Sequence, residues 1–162
     1  MVPLELVGVR VEVPANTPMV LLREQEGRHR LLPIYIGSPE ASSIHYALEG
    51  LEPPRPLTHD LFLATLSELG AVVTQVVVTE MRDRTYFAEL HLRVGKDERV
   101  ISARPSDAIA LAVRCDAPLF ASEQLIDEVG QEPPAEPETD TAEIIDEFKD
   151  FIENVSPEDF GA

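Results

Sequence analysis

The chain has 162 residues, 44% of them hydrophobic and 27% charged, with a formal net charge of −17. That length fits one domain with one core, the composition excludes a disordered chain, and no apolar run reaches the roughly 18 residues of a membrane span. The single cysteine, Cys115, excludes an internal disulfide and a cysteine-based zinc cluster; with no basic-then-apolar leader at the N-terminus, a cytoplasmic protein is expected.

The charge is uneven. Residues 131–162 hold 11 acids and one base, whereas residues 1–130 hold 19 acids and 12 bases. The body is therefore mildly acidic, and its bases are nearly all arginine, the better fork for phosphate. Charge weakens a nucleic-acid reading without closing it.

Apolar and polar residues alternate from Leu4 to Val13, which predicts a half-buried strand. Pro14 to Pro18 is turn chemistry. Met19 to Arg23 and Arg30 to Ile36 read as two more strands around a turn at Glu26-Gly27. Gly37-Ser38-Pro39-Glu40 opens a helix that runs to about Leu48 and stops at Gly50. The Pro-rich stretch Glu52 to Pro56 is a stiff loop. Thr58 is the expected N-cap of a helix from His59, exposed at its start, to Leu69.

Ala71 to Met81, Tyr86 to Val94 and Arg99 to Ser102 form a second set of three strands. They lead into the corner Arg104-Pro105-Ser106-Asp107 and an Ala-rich helix ending near Asp116. Cys115 is expected to be buried late in that helix, and Phe62 and Phe87 in the core. Leu119-Phe120 is a short apolar piece, and Ser122 caps a brief helix through Val129. Both halves thus read strand, strand, strand, helix, with an extra helix between them. An internal duplication would explain this, as would chance similarity of two capping sequences.

The expected fold is one α+β domain over residues 1–130: a mixed or antiparallel sheet of six main strands with three helices packed on it. Residues 131–162 read as an acidic, Pro-rich linker followed by an amphipathic helix over 142–155. Its apolar face, Ile145, Phe148, Ile152 and Val155, needs a surface to dock on. The acidity of that helix disfavours an anionic membrane.

Hydrolysing a phosphodiester calls for clustered carboxylates holding a divalent metal, or for histidine acid–base chemistry, with arginine to neutralise charge. The chain offers Glu40, Asp60 and Asp107 as ligands for Mg²⁺ or Mn²⁺. His59 joins these carboxylates as a catalytic candidate, and Arg55, Arg104 and Ser106 are candidates for binding substrate. All three acids also occupy first-turn positions where a helix favours a carboxylate for capping alone.

Leu32 to Gly37, Glu40-Ala41, Pro54 to Leu61 and Ala103 to Ala112, in this order and spacing, together resemble the bifunctional nuclease family. The resemblance covers about residues 4–130 and implies an α+β domain, usually oligomeric, that cleaves both DNA and RNA. One departure is Ser102, at a position where family members commonly carry an acid, two residues before the Arg-Pro-Ser-Asp motif. The expected function is a metal-assisted nuclease of low sequence specificity, acting on DNA and RNA as a homodimer. The alternative is a non-catalytic oligomeric binding or regulatory protein that shares the fold.

Overall fold

The structure is a computed structural model that describes residues 1–133. The expected 142–155 helix and most of the Pro-rich linker lie outside the described residues.

Two antiparallel meanders make up most of the sheet. One contains β1 (Val2–Glu12), β2 (Thr17–Glu24) and β3 (Leu31–Tyr35); the other contains β4 (Ala71–Arg82), β5 (Thr85–Val94) and β6 (Asp97–Ala103). Six main strands are what the sequence predicts, but Leu119-Phe120 proves to be a seventh. As β7 (Leu119–Ala121) it runs antiparallel to β1 and parallel to β4. This short strand joins the meanders into one mixed sheet in the order β3-β2-β1-β7-β4-β5-β6. A three-residue strand carries too little alternation to be recognised without its neighbours.

Local chemistry sets the corners. β1 is bulged beside Gly8, whose φ of 144° is open to glycine. The β4–β5 hairpin turns on Asp83 and Arg84, both with positive φ, as a two-residue loop of matching twist requires.

Among the described residues four helices accompany the sheet, the three expected to pack on it and the brief one expected after Ser122: α1 (Ser38–Leu48), α2 (Thr58–Glu68), α3 (Pro105–Cys115) and α4 (Glu123–Val129). Pro105 opens α3, where its missing N–H is no loss. Five consecutive residues of α3, Ala108 to Ala112, are buried, because the small alanines let the helix lie close on β4 and β5 while α1 and α2 cover its other sides. The core joins Leu22, Leu32, Ile44, Leu90, Ile109 and Ile126. Helix α2 has no fully buried residue and lies at the margin. Phe62 is accordingly 44% exposed rather than core, and α2 is held instead by Leu63 and Leu66. Cys115 is also exposed, as the last residue of α3.

Helix α4 begins as expected: the Ser122 hydroxyl accepts from Leu125 N at 3.1 Å and donates to the Thr79 carbonyl at 2.6 Å. A buried ion pair ties α4 to the first meander. Glu24, 3% exposed, receives Arg30 on both carboxylate oxygens at 2.9 and 3.0 Å. The same guanidinium reaches the Ile126 carbonyl and Asp127. Gln131, the start of the expected linker, is pinned to Leu31 by two backbone hydrogen bonds of 2.7 and 2.8 Å.

Candidate active site

The N-terminal turns of α1, α2 and α3 meet around a cleft of about 690 Å³, whose polar walls include Glu40, Ser43, His59, Arg104 and Asp107. The sheet puts α1 beside α3, and the stiff Pro-rich loop delivers the start of α2 against both. His59 is therefore not exposed, as its position at a helix start had led us to expect; its side chain is 16% exposed.

Both ring nitrogens of His59 are engaged. Nδ1 lies 2.8 Å from the Ser43 hydroxyl and Nε2 3.2 Å from Asp107 Oδ1. Arg114 also contacts the Ser43 oxygen, at 3.1 Å, and a guanidinium can only donate. The ionised Asp107 carboxylate can only accept, which assigns a proton to His59 Nε2, and in the neutral ring Nδ1 then accepts the Ser43 hydroxyl proton. This is a chain of Ser43, His59 and Asp107 with the basic lone pair on the Ser43 side.

Arg104 closes the far end. Its Nε lies 2.8 Å from Asp107 Oδ2, and its Nη2 lies 3.1 Å from Asp107 Oδ1 and 2.9 Å from Glu40 Oε1. Nη1 has no partner among the described residues, and the side chain is 66% exposed. Burial raises the pKa of Asp107, but the hydrogen bonds from Arg104 and His59 outweigh it and hold the carboxyl below its usual 3.8.

Asp60 faces elsewhere. Its Oδ1 takes Arg114 Nε at 2.6 Å, and its Oδ2 takes the Leu57 N–H at 2.9 Å. Arg114 is thereby the main cause of a lowered Asp60 pKa. Asp60 thus caps α2 from inside the helix, and Leu57 holds the N-cap position expected for Thr58. Arg114, 9% exposed, also donates to the Ala110 and Ser43 carbonyls, joining α1, α2 and α3.

Among the described residues, no three His, Cys, Asp or Glu side chains group so as to hold a metal ion. The expected ligands Glu40 and Asp107 share Arg104, and Asp60 is held by Arg114. Arginine thus lies on one oxygen of Glu40, one of Asp60 and both of Asp107, so a Mg²⁺ or Mn²⁺ ion held by Glu40 and Asp107 together would have to displace Arg104. Arg55 is exposed on the Pro-rich loop, with no hydrogen bond or ion pair among the described residues. Ser106 lies on the other side of Arg104, in a second cleft. The structure thus brings together Glu40, His59, Arg104 and Asp107, but not Asp60, Arg55 or Ser106.

Two members of the network, Ser43 and Arg114, were not anticipated. Their signals were spacings: Ser43 is one turn beyond Glu40 on α1, and Arg114 two turns beyond Asp107 on α3.

Residues 20–134 match the family model described as the bifunctional nuclease domain. An uncharacterized protein of Mycobacterium tuberculosis is 39% identical over 163 residues, which cover 97% of this chain and 96% of the relative. Bifunctional nuclease 1 of Arabidopsis thaliana is 32% identical over 114 residues, 68% of this chain. Bifunctional nuclease 1 of Oryza sativa subsp. japonica is 29% identical over 120 residues, 72% of this chain. The matched parts make up only 35% and 36% of these two plant proteins.

Proposed function

The chain belongs to the bifunctional nuclease domain family, and from that premise we propose that it hydrolyses phosphodiester bonds of DNA and RNA, with low sequence specificity, in the cleft between α1, α2 and α3. One observation carries the reading: a histidine fixed between a hydroxyl and a carboxylate stands beside an arginine with a free donor. The scissile phosphate lies against Arg104 Nη1, which offsets the charge that builds on its oxygens. An attacking water gives its proton to Ser43 Oγ as Ser43 passes its own to His59 Nδ1. The new O–P bond forms, the bond to the leaving oxygen breaks, and that oxygen takes a proton from solvent water, while the His59 imidazolium returns its proton through Ser43 to the solvent. Asp107 stabilises the imidazolium and keeps the ring in place. Water as nucleophile needs no 2′-hydroxyl, so DNA and RNA are both substrates.

The test is cleavage of single-stranded DNA and RNA by the purified protein with Mg²⁺, with Mn²⁺ and with EDTA. His59→Gln and Asp107→Asn are expected to lose about 10²- to 10⁴-fold in rate. Cleavage that survives EDTA fits the acid–base route. Strict dependence on Mg²⁺ or Mn²⁺ would mean that a metal displaces Arg104 from Glu40 and Asp107 when substrate binds. Unchanged rates in both variants would sink the site.

A second reading has its own support. Glu40, Asp60 and Asp107 are each paired with arginine, as in a closed structural network, and the net charge is −17. A non-catalytic binding or regulatory protein would look like this, and it would show no cleavage in any arm of the same assay.

Assembly as a homodimer belongs to the proposal. β6 is an edge strand whose Val100 and Ile101 are 55% and 45% exposed on opposite faces. Three exposed charges, Asp97, Glu98 and Arg99, precede them, so it is the uncharged half of this edge, Val100 to Ala103, that offers unpaired backbone groups to another strand.

A further inference from the structure

Arg104 borders two clefts. On the side away from His59, a cleft of about 360 Å³ is lined by Tyr35, Arg84, Tyr86, Arg104, Pro105 and Ser106. We propose that this second cleft binds one unstacked nucleotide of the strand being cut, with its base against Tyr86 and Tyr35 and its phosphate on Arg104, Arg84 and Ser106. The inference rests on the nuclease reading and specifies how that site takes its substrate.

Four observations converge. Ser106 is 7% exposed as a residue, and its hydroxyl, which makes no hydrogen bond among the described residues, is not itself buried and lines this cleft. It sits in the first turn of α3, where backbone N–H groups lack helical partners and favour an anion. Arg84 stands at the tip of the β4–β5 hairpin, its backbone at a left-handed φ of 62°, and its side chain has no hydrogen bond or ion pair among the described residues. The two tyrosines supply ring faces at different depths: Tyr35 is 52% exposed, and Tyr86 is half-buried against the core. The Tyr35 hydroxyl donates to Glu12 at 3.1 Å, which anchors one edge of the ring.

The chemistry selects a single strand. Aromatic faces stack on a base only when it is free of its own stack, and duplex bases are not. Arg104 couples the clefts, since one guanidinium can hold the phosphate between a base in the second cleft and the bond cut in the first. Tyrosine stacking with arginine on phosphate is indifferent to base identity, which accounts for low sequence specificity.

The test measures fluorescence anisotropy of a short labelled single-stranded oligodeoxynucleotide, with an equal-length duplex alongside and cleavage followed in parallel. Tyr35→Leu and Tyr86→Leu are each expected to weaken single-strand binding roughly 5- to 100-fold, as for loss of one stacked base. Tyr35→Phe keeps the ring face and loses less affinity than Tyr35→Leu, and Arg84→Ala lowers the salt dependence by about one phosphate contact. Tyr35 is exposed, so its variants keep the test decisive even if Tyr86→Leu unfolds. If wild-type protein cuts and His59→Gln does not, but both leucine variants bind like wild type, the subsite is wrong and the nuclease reading stands. Equal losses in Tyr35→Phe and Tyr35→Leu would assign the effect to the hydroxyl and overturn stacking. Wild-type protein that neither binds nor cuts would overturn both.

Discussion

At the scale of single residues, the described part of the chain is organised by arginines that each satisfy several acceptors. Arg30 is the deepest case. Arg30→Met would leave the Glu24 charge buried without a partner, at a cost of about 3–5 kcal/mol. Urea unfolding measures it, and a loss below about 1 kcal/mol would refute the claim. Glu24, Asp60 and Asp107 all have folded pKa values below their ordinary 4.5 and 3.8. The folded state therefore binds fewer protons, so this stability is complete above the unfolded values and is lost as pH falls through the lowered ones. Melting temperature should be level above about pH 5 and drop below about pH 4, with a shallower drop in Glu24→Gln. Gly37 is a subtler case, because a Cβ there would press on the Glu40 carboxylate. Gly37→Ala should fold normally yet move Glu40 off Arg104, so cleavage falls while the melting temperature holds.

At the scale of elements, the short pieces do the joining. β7 is three residues long, yet it alone bridges β1 and β4. It is held in register by Ser122, whose backbone N–H and hydroxyl reach the carbonyls of Val78 and Thr79 in β4. Ser122→Ala removes both the α4 cap and the Thr79 contact, an expected loss of about 1–2 kcal/mol. Chemical denaturation would detect it, and an unchanged midpoint would show that β7 is held by its backbone ladder alone. The three longer helices matter through their first turns, which carry Glu40, His59 and Asp107. The proposed chemistry is thus set by where helices begin.

At the scale of the whole molecule, the sheet ends at β6, and the proposed homodimer rests on the uncharged half of that edge strand, Val100 to Ala103. Light scattering should give twice the 17.9 kDa of one chain. Ile101→Lys should return it to one chain, because a charge on an edge strand blocks pairing. A wild-type protein that scatters as a single chain at micromolar concentration would rule the assembly out.

The sequence alone determined the elements with strong local signals. Period-two alternation marked β1, apolar runs between turn residues marked the other five long strands, and Pro, Gly and Ser marked where the helices start and stop, because these patterns arise within a few residues. The motif blocks around Glu40, His59 and Asp107 likewise pointed to the family that the comparisons then showed. Tertiary structure decided the rest. It made β7 a strand, since a three-residue segment is defined by the neighbours it pairs with. It parted Asp60 from Glu40 and Asp107, since which cation each carboxylate meets depends on helix packing. It also brought Ser43 and Arg114 into the network, because residues 71 apart in the chain touch only when α1 and α3 lie side by side.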